Sequence, residues 1–292
     1  MTKRYYSLKE IPKLNLISSS KRYSSANEPI ILRNLVGYNF LPNIISSFQD
    51  YDNLYLVMTY FEGETLSVLK KKKMTEKQIK FISACVIQSL TYLRNKNIIN
   101  RDIQMHNIIM DKQKYFNLID FSYSIKYSDK NIINYYMVPN PRICPPEIMN
   151  HSNYDYNSDY YRLGSIIYYL IFKKYPNRAK KEYNVDKIIL NQTLSNYSSS
   201  CIDFVNKLLI SDYRERIGFK GINELKNHSW FEGFDWKNFE KKRIISPFKF
   251  IPKKNISCRH FDMDKNIFIN NTDFEYYDYT NKKIIINILN NS

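Results

Sequence analysis

The chain has 292 residues, of which 43% are hydrophobic and 25% are charged, and its formal net charge is +16. This length suits one large domain or two lobes that share a cleft, and the hydrophobic fraction suffices for a buried core. The sequence contains no run of about 18 apolar residues, so we expect no membrane span. The opening segment, MTKRYYSLKE, has no apolar core, so we expect no secretory signal.

The positive charge and the cysteines are both dispersed along the chain. The densest basic run, residues 70–73, lies at a predicted helix end, where cations complement the helix dipole. No nucleic-acid-binding motif accompanies this charge, and we therefore expect no nucleic-acid partner. The cysteines form no C-x-x-C pair, which predicts reduced thiols in a cytoplasmic or nuclear protein. They are Cys85, Cys144, Cys201 and Cys258.

The residue pattern predicts a strand-rich front followed by a helical body. Residues 53–58 are rich in aromatic and aliphatic side chains after a polar turn, which predicts a strand. Apolar residues spaced by three or four predict a helix over residues 75–95. Two further helices are predicted over residues 163–172 and 202–209. After Trp230 the helical periodicity fades, which predicts an extended tail.

One short segment places three polar groups at a spacing that suits phosphoryl transfer. Within N-R-D-I-Q-M-H-N, Asp102 precedes Asn107 by five residues, and Asp120 follows thirteen residues later. One carboxylate can orient an attacking hydroxyl and accept its proton, while an amide and a second carboxylate can hold Mg²⁺. Asp102, Asn107 and Asp120 are therefore candidate catalytic residues, and the last two are candidate metal ligands.

The same residues carry a resemblance to a known family. The segment around Asp102 and the later D-F-S run at residues 120–122 resemble the catalytic loop and the D-F-G motif of protein kinases. The resemblance implies an α+β, two-lobed protein-kinase-like fold with ATP and Mg²⁺ between the lobes. It divides the chain into a truncated β-rich N-lobe (1–58), a hinge (59–63), a helical C-lobe (64–231) and a C-terminal tail (232–292).

The resemblance also implies a nucleotide site. Met58 matches the gatekeeper, the backbone of Thr59 and Phe61 would bind adenine, and Glu64 matches the acid that holds the ribose. Met58 ends the predicted strand and the other three positions follow it, as expected for a hinge.

Two charged residues near the start resemble the phosphate-binding ion pair of protein kinases. Lys9 matches the lysine that holds the α- and β-phosphates, and Glu28 matches its partner on the regulatory helix. The alternative for Lys9 is a solvated surface lysine. Pro29 follows Glu28, and a proline inside a helix costs about 3 kcal/mol unless it lies in the first turn.

The C-terminal half resembles the AGC group, and in particular cAMP-dependent protein kinase catalytic subunits. Between residues 215 and 248 it carries E-R-I-G, H-S-W-F, D-W and P-F in order. Phe261 resembles the tail aromatic of the nucleotide pocket, and residues 274–279 resemble a hydrophobic motif that docks on the N-lobe. The resemblance also implies that Glu147 pairs with Arg216 and that Asp159 binds the catalytic-loop backbone. Tyr136 stands where relatives carry a phosphorylatable threonine, and we expect an unmodified aromatic there.

Three departures from the family pattern bear on activity. No glycine precedes Gly37, so this sequence has no glycine-rich loop ahead of Lys9 to cover the ATP phosphates. A sequence truncated at its start and a genuinely reduced kinase both explain this. Gln104 replaces a lysine that commonly contacts the γ-phosphate, and Ser122 replaces the glycine of D-F-G.

These features predict a serine/threonine protein kinase that transfers the ATP γ-phosphate to a protein hydroxyl. The departures leave a pseudokinase, acting as a binding or scaffolding module, as the alternative. His106 and Arg142 stand where cyclic-nucleotide-dependent relatives carry acids, and with the net charge they favour an acidic or neutral protein substrate. A regulatory subunit is left open as a further partner.

Overall fold

The computed structural model describes most of the chain. The described residues are 5–17, 21–127, 140–149, 155–176, 196–253 and 279–280. Several sequence predictions concern residues outside the described ranges. These are the predictions for Tyr136, Cys258, Phe261 and most of the hydrophobic motif. Within the described residues no helix has both the length and the apolar character needed to cross a bilayer.

The longest strands lie before residue 60, and the two longest helices lie after residue 75. The strands are β1 (Tyr6–Pro12), β2 (Ile44–Gln49), β3 (Asn53–Thr59), β4 (Ile98–Ile99), β5 (Ile108–Met110), β6 (Phe116–Leu118), β7 (Ile125–Lys126) and β8 (Tyr279–Thr280). The helices are α1 (Leu14–Ile17), α2 (Lys21–Arg33), α3 (Leu66–Leu69), α4 (Glu76–Asn95), α5 (Pro146–Met149), α6 (Tyr156–Phe172), α7 (Ser199–Leu208), α8 (Asn223–Lys226) and α9 (Trp236–Glu240).

The N-terminal part forms an antiparallel sheet in the order β1-β3-β2-β8. The register places Lys9 opposite Leu56, so the lysine lies on the strand beside the one that leads into the predicted hinge. β8 pairs with β2 through Ser47 and Tyr279, which brings the C-terminal end of the chain back to this sheet. The sheet and the helical body that follows it form the predicted α+β kinase-like fold. The proposed boundaries at residues 58, 63 and 231 stay predictions.

Helix α2 carries Glu28 beneath this sheet and differs from the sequence expectation at Pro29. Pro29 lies in the helix interior, not in its first turn, so it cannot donate the backbone hydrogen bond of a regular helix. Glu28, Ile31 and Leu32 are all buried. Tertiary packing of this kind supplies most helix stability in proteins, and it holds α2 together despite the proline.

Helix α4 is the centre of the C-lobe core and matches its prediction closely. Thr75 and Gln78 form a reciprocal capping box, which satisfies backbone donors at the start of the helix. The apolar residues that defined the predicted period are all buried; they are Ile79, Ile82, Val86, Leu90 and Leu93. The pattern therefore identified the face that packs against the rest of the lobe.

Helix α6 begins at Tyr156, earlier than residue 163, where the apolar pattern begins, and three residues before Asp159, where the family resemblance places the opening of this helix. Its first turns carry polar side chains, including Asp159 and Arg162, and these are as deeply buried as the apolar ones. An apolar pattern cannot reveal such a segment. Further along, a Cβ at Gly164 would lie 2.7 Å from the Leu208 Cβ, so the glycine permits close contact between α6 and α7.

The segment after Trp230 is more structured than the predicted extended tail. It contains the short helix α9, and its aromatic rings pack on one another and on the C-lobe core. The shortest links join Phe234 to Trp236 (4.8 Å between ring centroids) and Phe234 to Phe239 (4.9 Å). Aromatic packing, rather than an amphipathic period, fixes this part of the chain.

A buried ion pair joins α5 to the loop before α8. Arg216 donates through two nitrogens to Glu147, at 2.7 and 2.9 Å, and the two side chains are 0% and 4% exposed. This is the pair that the family resemblance predicted. Ser158 at the start of α6 also donates to Glu147 at 3.1 Å, so the pair links separate parts of the lobe.

We expect Arg216→Met to lower the free energy of unfolding by about 3–5 kcal/mol, because it leaves the Glu147 carboxylate buried without its partner. Arg214→Met, at an exposed neighbouring arginine, is the matched control and should change stability little. Denaturant-induced unfolding of the three chains measures both values. Equal stability of the two variants would show that the pair does not hold the lobe together.

Candidate active site

The catalytic loop lies between β4 and β5 and is fixed from below by α6. The Asp159 carboxylate accepts hydrogen bonds from the backbone N–H groups of Asn100 (2.8 Å) and Arg101 (2.9 Å). Complete burial raises the pKa of Asp159 to about 6, although these donors and the nearby Arg162 favour its charged form. The contact that the resemblance implied for Asp159 is therefore present.

Two side-chain amides hold the Asp102 carboxylate. Asn107 Nδ2 donates to Asp102 Oδ2 at 2.8 Å and to its backbone oxygen at 3.0 Å. Gln104 Nε2 donates to the other carboxylate oxygen, Oδ1, and Gln104 in turn accepts a hydrogen bond from Asn140 at 3.0 Å. The amide oxygen of Asn107 has no partner among the described residues. That oxygen can therefore serve as a cation ligand.

Burial and neighbouring groups shift the pKa of Asp102 in opposite directions. Burial raises the pKa of Asp102, while the Gln104 hydrogen bond and the Arg162 guanidinium oppose that shift. Arg162 is completely buried, and its guanidinium makes no hydrogen bond within the described part of the chain. A raised pKa makes the carboxylate a better proton acceptor than an exposed aspartate.

Lys9 is the centre of a second polar cluster. Its Nζ donates to Glu28 Oε2 (2.8 Å), Asp120 Oδ1 (3.0 Å) and Ser122 Oγ (2.6 Å). Burial alone would lower the pKa of Lys9, but the two carboxylates outweigh it and raise the pKa above its ordinary value. The predicted pairing of Lys9 with Glu28 is present, and the surface-lysine alternative is wrong.

Glu28 and Asp120 tie the regulatory helix to the D-F-S segment. Glu28 Oε1 accepts the backbone N–H of Phe121 at 3.0 Å, so both Glu28 oxygens are used in this cluster. Burial would raise the pKa of Asp120, but Lys9 and Ser122 lower it overall, which keeps this carboxylate charged. Asp120 has φ of 67°, an uncommon conformation that the surrounding hydrogen bonds maintain.

The two clusters adjoin each other. The backbone oxygen of Asn107 accepts from Ile119 N–H at 2.8 Å, and Asn100 Nδ2 donates to the Asp120 backbone oxygen at 3.3 Å. The structure thus brings Lys9, Glu28 and Asp120 together and places them beside Asp102 and Asn107. A charged carboxylate and a free amide oxygen suit Mg²⁺, which usually takes few protein ligands and completes its shell with phosphate and water.

The predicted hinge connects β3 to α3. Met58 is partly buried against the main core, and Thr59 N–H donates to the Asn43 backbone oxygen at 3.0 Å. The backbone of Phe61 forms no hydrogen bond with the described residues, so its N–H and C=O can serve a ligand. Glu64 is fixed through its backbone, which donates to Ile251 (3.0 Å) and accepts from Met110 (3.1 Å).

Gly63 and the later chain shape this hinge. A Cβ at Gly63 would lie 2.6 Å from the Met110 backbone oxygen, so only glycine allows the observed approach. Lys253 N–H donates to the Glu62 backbone oxygen at 2.8 Å, and Pro252 forms a bridge with Gly63. No motif or residue pattern predicted this contact between the hinge and residues 251–253.

Ser122 is the functional-site residue whose contacts sequence reasoning missed. The motif marked it only as a replacement for glycine with less backbone freedom. In the structure its hydroxyl lies between Lys9, Glu28 and Asp120. No pattern of residues along the chain could reveal the contacts with Lys9 and Glu28, because these join parts more than ninety residues apart.

Comparison with known proteins agrees with this geometry. The family model described as the protein kinase domain matches residues 1–231. The chain belongs to the protein kinase family, and its relatives place it in the AGC group. It is 27% identical over 265 residues to serine/threonine-protein kinase Sgk1 of Danio rerio, covering 89% of this chain and 61% of that protein.

Two other relatives show similar levels of identity. A probable serine/threonine-protein kinase of Dictyostelium discoideum is 28% identical over 252 residues, covering 85% of this chain and 55% of that protein. A cGMP-dependent protein kinase of Drosophila melanogaster (isozyme 2, forms cD5/T2) is 25% identical over 268 residues, covering 89% of this chain and 28% of that protein. The chain spans about three fifths of the length of the Sgk1 relatives.

We expect a double-mutant cycle of Lys9→Met and Glu28→Gln to give a coupling energy of about 1–3 kcal/mol, because the Glu28 carboxylate is 1% exposed. The exposed pair Lys112–Glu62, at 2.6 Å, is the matched control and should couple by about 1 kcal/mol or less. Unfolding free energies of the single and double variants supply both values. A coupling no larger than the control's would contradict a structural role for the Lys9–Glu28 pair.

Proposed function

We propose that this chain is a serine/threonine protein kinase that transfers the γ-phosphate of ATP to a protein hydroxyl. The observation that carries the proposal is the convergence of Lys9, Glu28 and Asp120 beside Asp102 and Asn107. Membership of the protein kinase family supports ATP and Mg²⁺ as cofactors and a protein as substrate. Phosphoryl transfer requires positioning and charge stabilisation more than covalent chemistry, and these residues supply both.

Nucleotide would bind between the hinge and the Lys9 cluster. The unpaired backbone groups of Phe61 and the backbone of Thr59 would contact adenine next to Met58, and Glu64 would bind the ribose. The Lys9 ammonium, held by Glu28, would attract the α- and β-phosphates. The oxygens of Asn107 and Asp120 would hold Mg²⁺, which when bound neutralises charge on the phosphates.

Asp102 would orient the substrate hydroxyl and accept its proton. Its carboxylate is held by Asn107 and Gln104, so its orientation is fixed before substrate arrives. Burial raises its pKa, which increases its basicity. The attacking oxygen then gains nucleophilic character as the proton moves towards Asp102.

Charges near the catalytic loop favour an acidic or neutral substrate. His106 within the loop and Arg142 just beyond Asn140 are both exposed. The Arg142 backbone N–H donates to the Asn140 side chain at 3.0 Å, and Asn140 itself contacts Gln104. These contacts connect Arg142 through Asn140 to Gln104, which bonds Asp102. This connection to the proposed catalytic base supports a preference for acidic or neutral substrates, as does the net charge of +16.

One observation favours a pseudokinase as the second candidate. Both carboxylate oxygens of Asp102 already accept side-chain amide hydrogen bonds. A substrate hydroxyl must share or displace one of these donors, and the Gln104 amide supplies less positive charge than a lysine would. A chain in which this exchange is unfavourable would bind nucleotide without transferring phosphate.

We expect Asp102→Asn to lower kcat by about 10²–10⁴-fold with nucleotide binding retained, because it removes the proton acceptor. Asp120→Asn should abolish transfer and Mg²⁺-dependent thermal stabilisation by ATP, because it removes a charged metal ligand. Asp52→Asn, in the exposed turn before β3, is the control and should leave both unchanged. Radiolabelled γ-phosphate transfer to acidic, neutral and basic peptide pools, with Tm shifts measured in parallel, gives these values.

The outcomes separate the two candidates. Transfer by the wild-type chain that is lost in Asp102→Asn supports the kinase. Mg²⁺-dependent stabilisation by ATP without transfer above the Asp102→Asn level supports the pseudokinase. A wild-type chain that shows neither contradicts a nucleotide-dependent function.

A further inference from the structure

Ser122 connects the charged groups of the Lys9 cluster. Its hydroxyl lies 2.6 Å from Asp120 Oδ1 and 3.2 Å from Glu28 Oε2, and it accepts a hydrogen bond from Lys9 Nζ at 2.6 Å. A serine hydroxyl carries one donor and two acceptor sites. The shorter distance assigns its proton to Asp120, and the lysine supplies the hydrogen bond that the hydroxyl accepts.

The two oxygens of the Asp120 carboxylate have unequal surroundings. Oδ1 accepts from Lys9 Nζ (3.0 Å), the Ser122 backbone N–H (3.1 Å) and the Ser122 hydroxyl (2.6 Å). Oδ2 accepts no hydrogen bond from the described residues, and the side chain is 34% exposed. One oxygen is therefore saturated by protein donors while the other is free to face the cleft.

Two of the three donors to Oδ1 come from Ser122 itself. A glycine or alanine at this position could supply only the backbone N–H, so the carboxylate would lose its shortest hydrogen bond. The hydroxyl also links the carboxylate to Lys9 by a second route. Together these contacts restrict rotation of the carboxylate and fix the direction of Oδ2.

We propose that Ser122 is a positioning residue for Mg²⁺: its hydroxyl holds Oδ1 of Asp120 so that Oδ2 is presented to the cation that accompanies ATP. The inference rests on the proposed function, because it concerns the same nucleotide site. Groups that orient a metal ligand in this way commonly change metal affinity by about 10–100-fold when they are removed. The serine thus has a role that its place in the motif does not indicate.

The test compares Ser122→Ala, Ser122→Gly and Ser122→Thr with the wild-type chain. At fixed ATP, the Mg²⁺ concentration that gives half of the maximal Tm shift should rise by about 10–100-fold in the alanine and glycine variants. The threonine variant keeps the hydroxyl and should restore most of the lost affinity. Mn²⁺ binding in the presence of ATP, followed by electron paramagnetic resonance, reports the same change without any turnover.

Two controls separate cation positioning from a general loss of structure. Adenosine carries no phosphate and needs no cation, so its Tm shift should be the same in all variants. Ser67→Ala removes a side-chain hydrogen bond to Thr65, 2.6 Å long, that involves no residue of the Lys9 cluster, and it should leave the Mg²⁺ requirement unchanged.

An unchanged Mg²⁺ requirement in Ser122→Ala would overturn the inference. A lower requirement would also overturn it, because that result would mean that the hydroxyl competes with phosphate for Lys9. Failure of threonine to restore affinity would assign the effect to packing and not to the hydroxyl. A wild-type chain with neither a Mg²⁺-dependent Tm shift nor phosphate transfer would contradict the proposed function itself, and the inference with it.

Discussion

The ammonium group of Lys9 is the interaction on which the rest of the site depends. It bonds Glu28, nineteen residues later in the chain, and Asp120 and Ser122, more than a hundred residues later. Strand β1, helix α2 and the D-F-S segment therefore meet at one charged atom. Without that cation, two carboxylates and a hydroxyl would be left together in a partly buried space, and each would require water or a rearranged backbone for compensation.

Three aspartate carboxyl groups in and beneath the site, those of Asp120, Asp102 and Asp159, have different electrostatic surroundings. Asp120 lies against a cation, and its pKa is lowered, which suits a permanently charged ligand. Burial raises the pKa of Asp102, which suits a proton acceptor, and it also raises that of Asp159, which supports the backbone of the catalytic loop. Environments that shift the pKa values of neighbouring carboxyl groups apart are a common way of assigning them separate roles.

The parts of the fold that depend on regular patterns were predictable from the sequence. The apolar period of α4 and the aromatic and aliphatic residues of β3 predicted the bounds of both elements to within one residue. The first turns of α6 were not predictable from the apolar pattern, because their buried residues are polar. Asp159 and the Asn157 backbone oxygen, for example, bond to groups from distant segments. The aromatic packing around α9 was missed for a related reason: its ring contacts have no fixed spacing along the chain.

Some features of the candidate site were also predictable from the sequence, and others were not. The spacing of Asp102, Asn107 and Asp120 could be found from the sequence because the motif is local. Pairing of Lys9 with Glu28 could be inferred only through the family resemblance, since no local pattern connects them. The bridging position of Ser122 and the amide contacts on both oxygens of Asp102 depend on three-dimensional approach, and only the structure could reveal them.

The contact between the hinge and residues 251–253 has a mechanical consequence. Backbone hydrogen bonds join Glu62 to Lys253 and Glu64 to Ile251, so residues 251–253 run beside the segment that connects the two lobes. Bending of that connection must stretch or slide residues 251–253 as well. Residues 251–253 therefore stiffen the hinge. The resistance of the cleft to opening and closing depends partly on residues that come almost two hundred positions after the hinge.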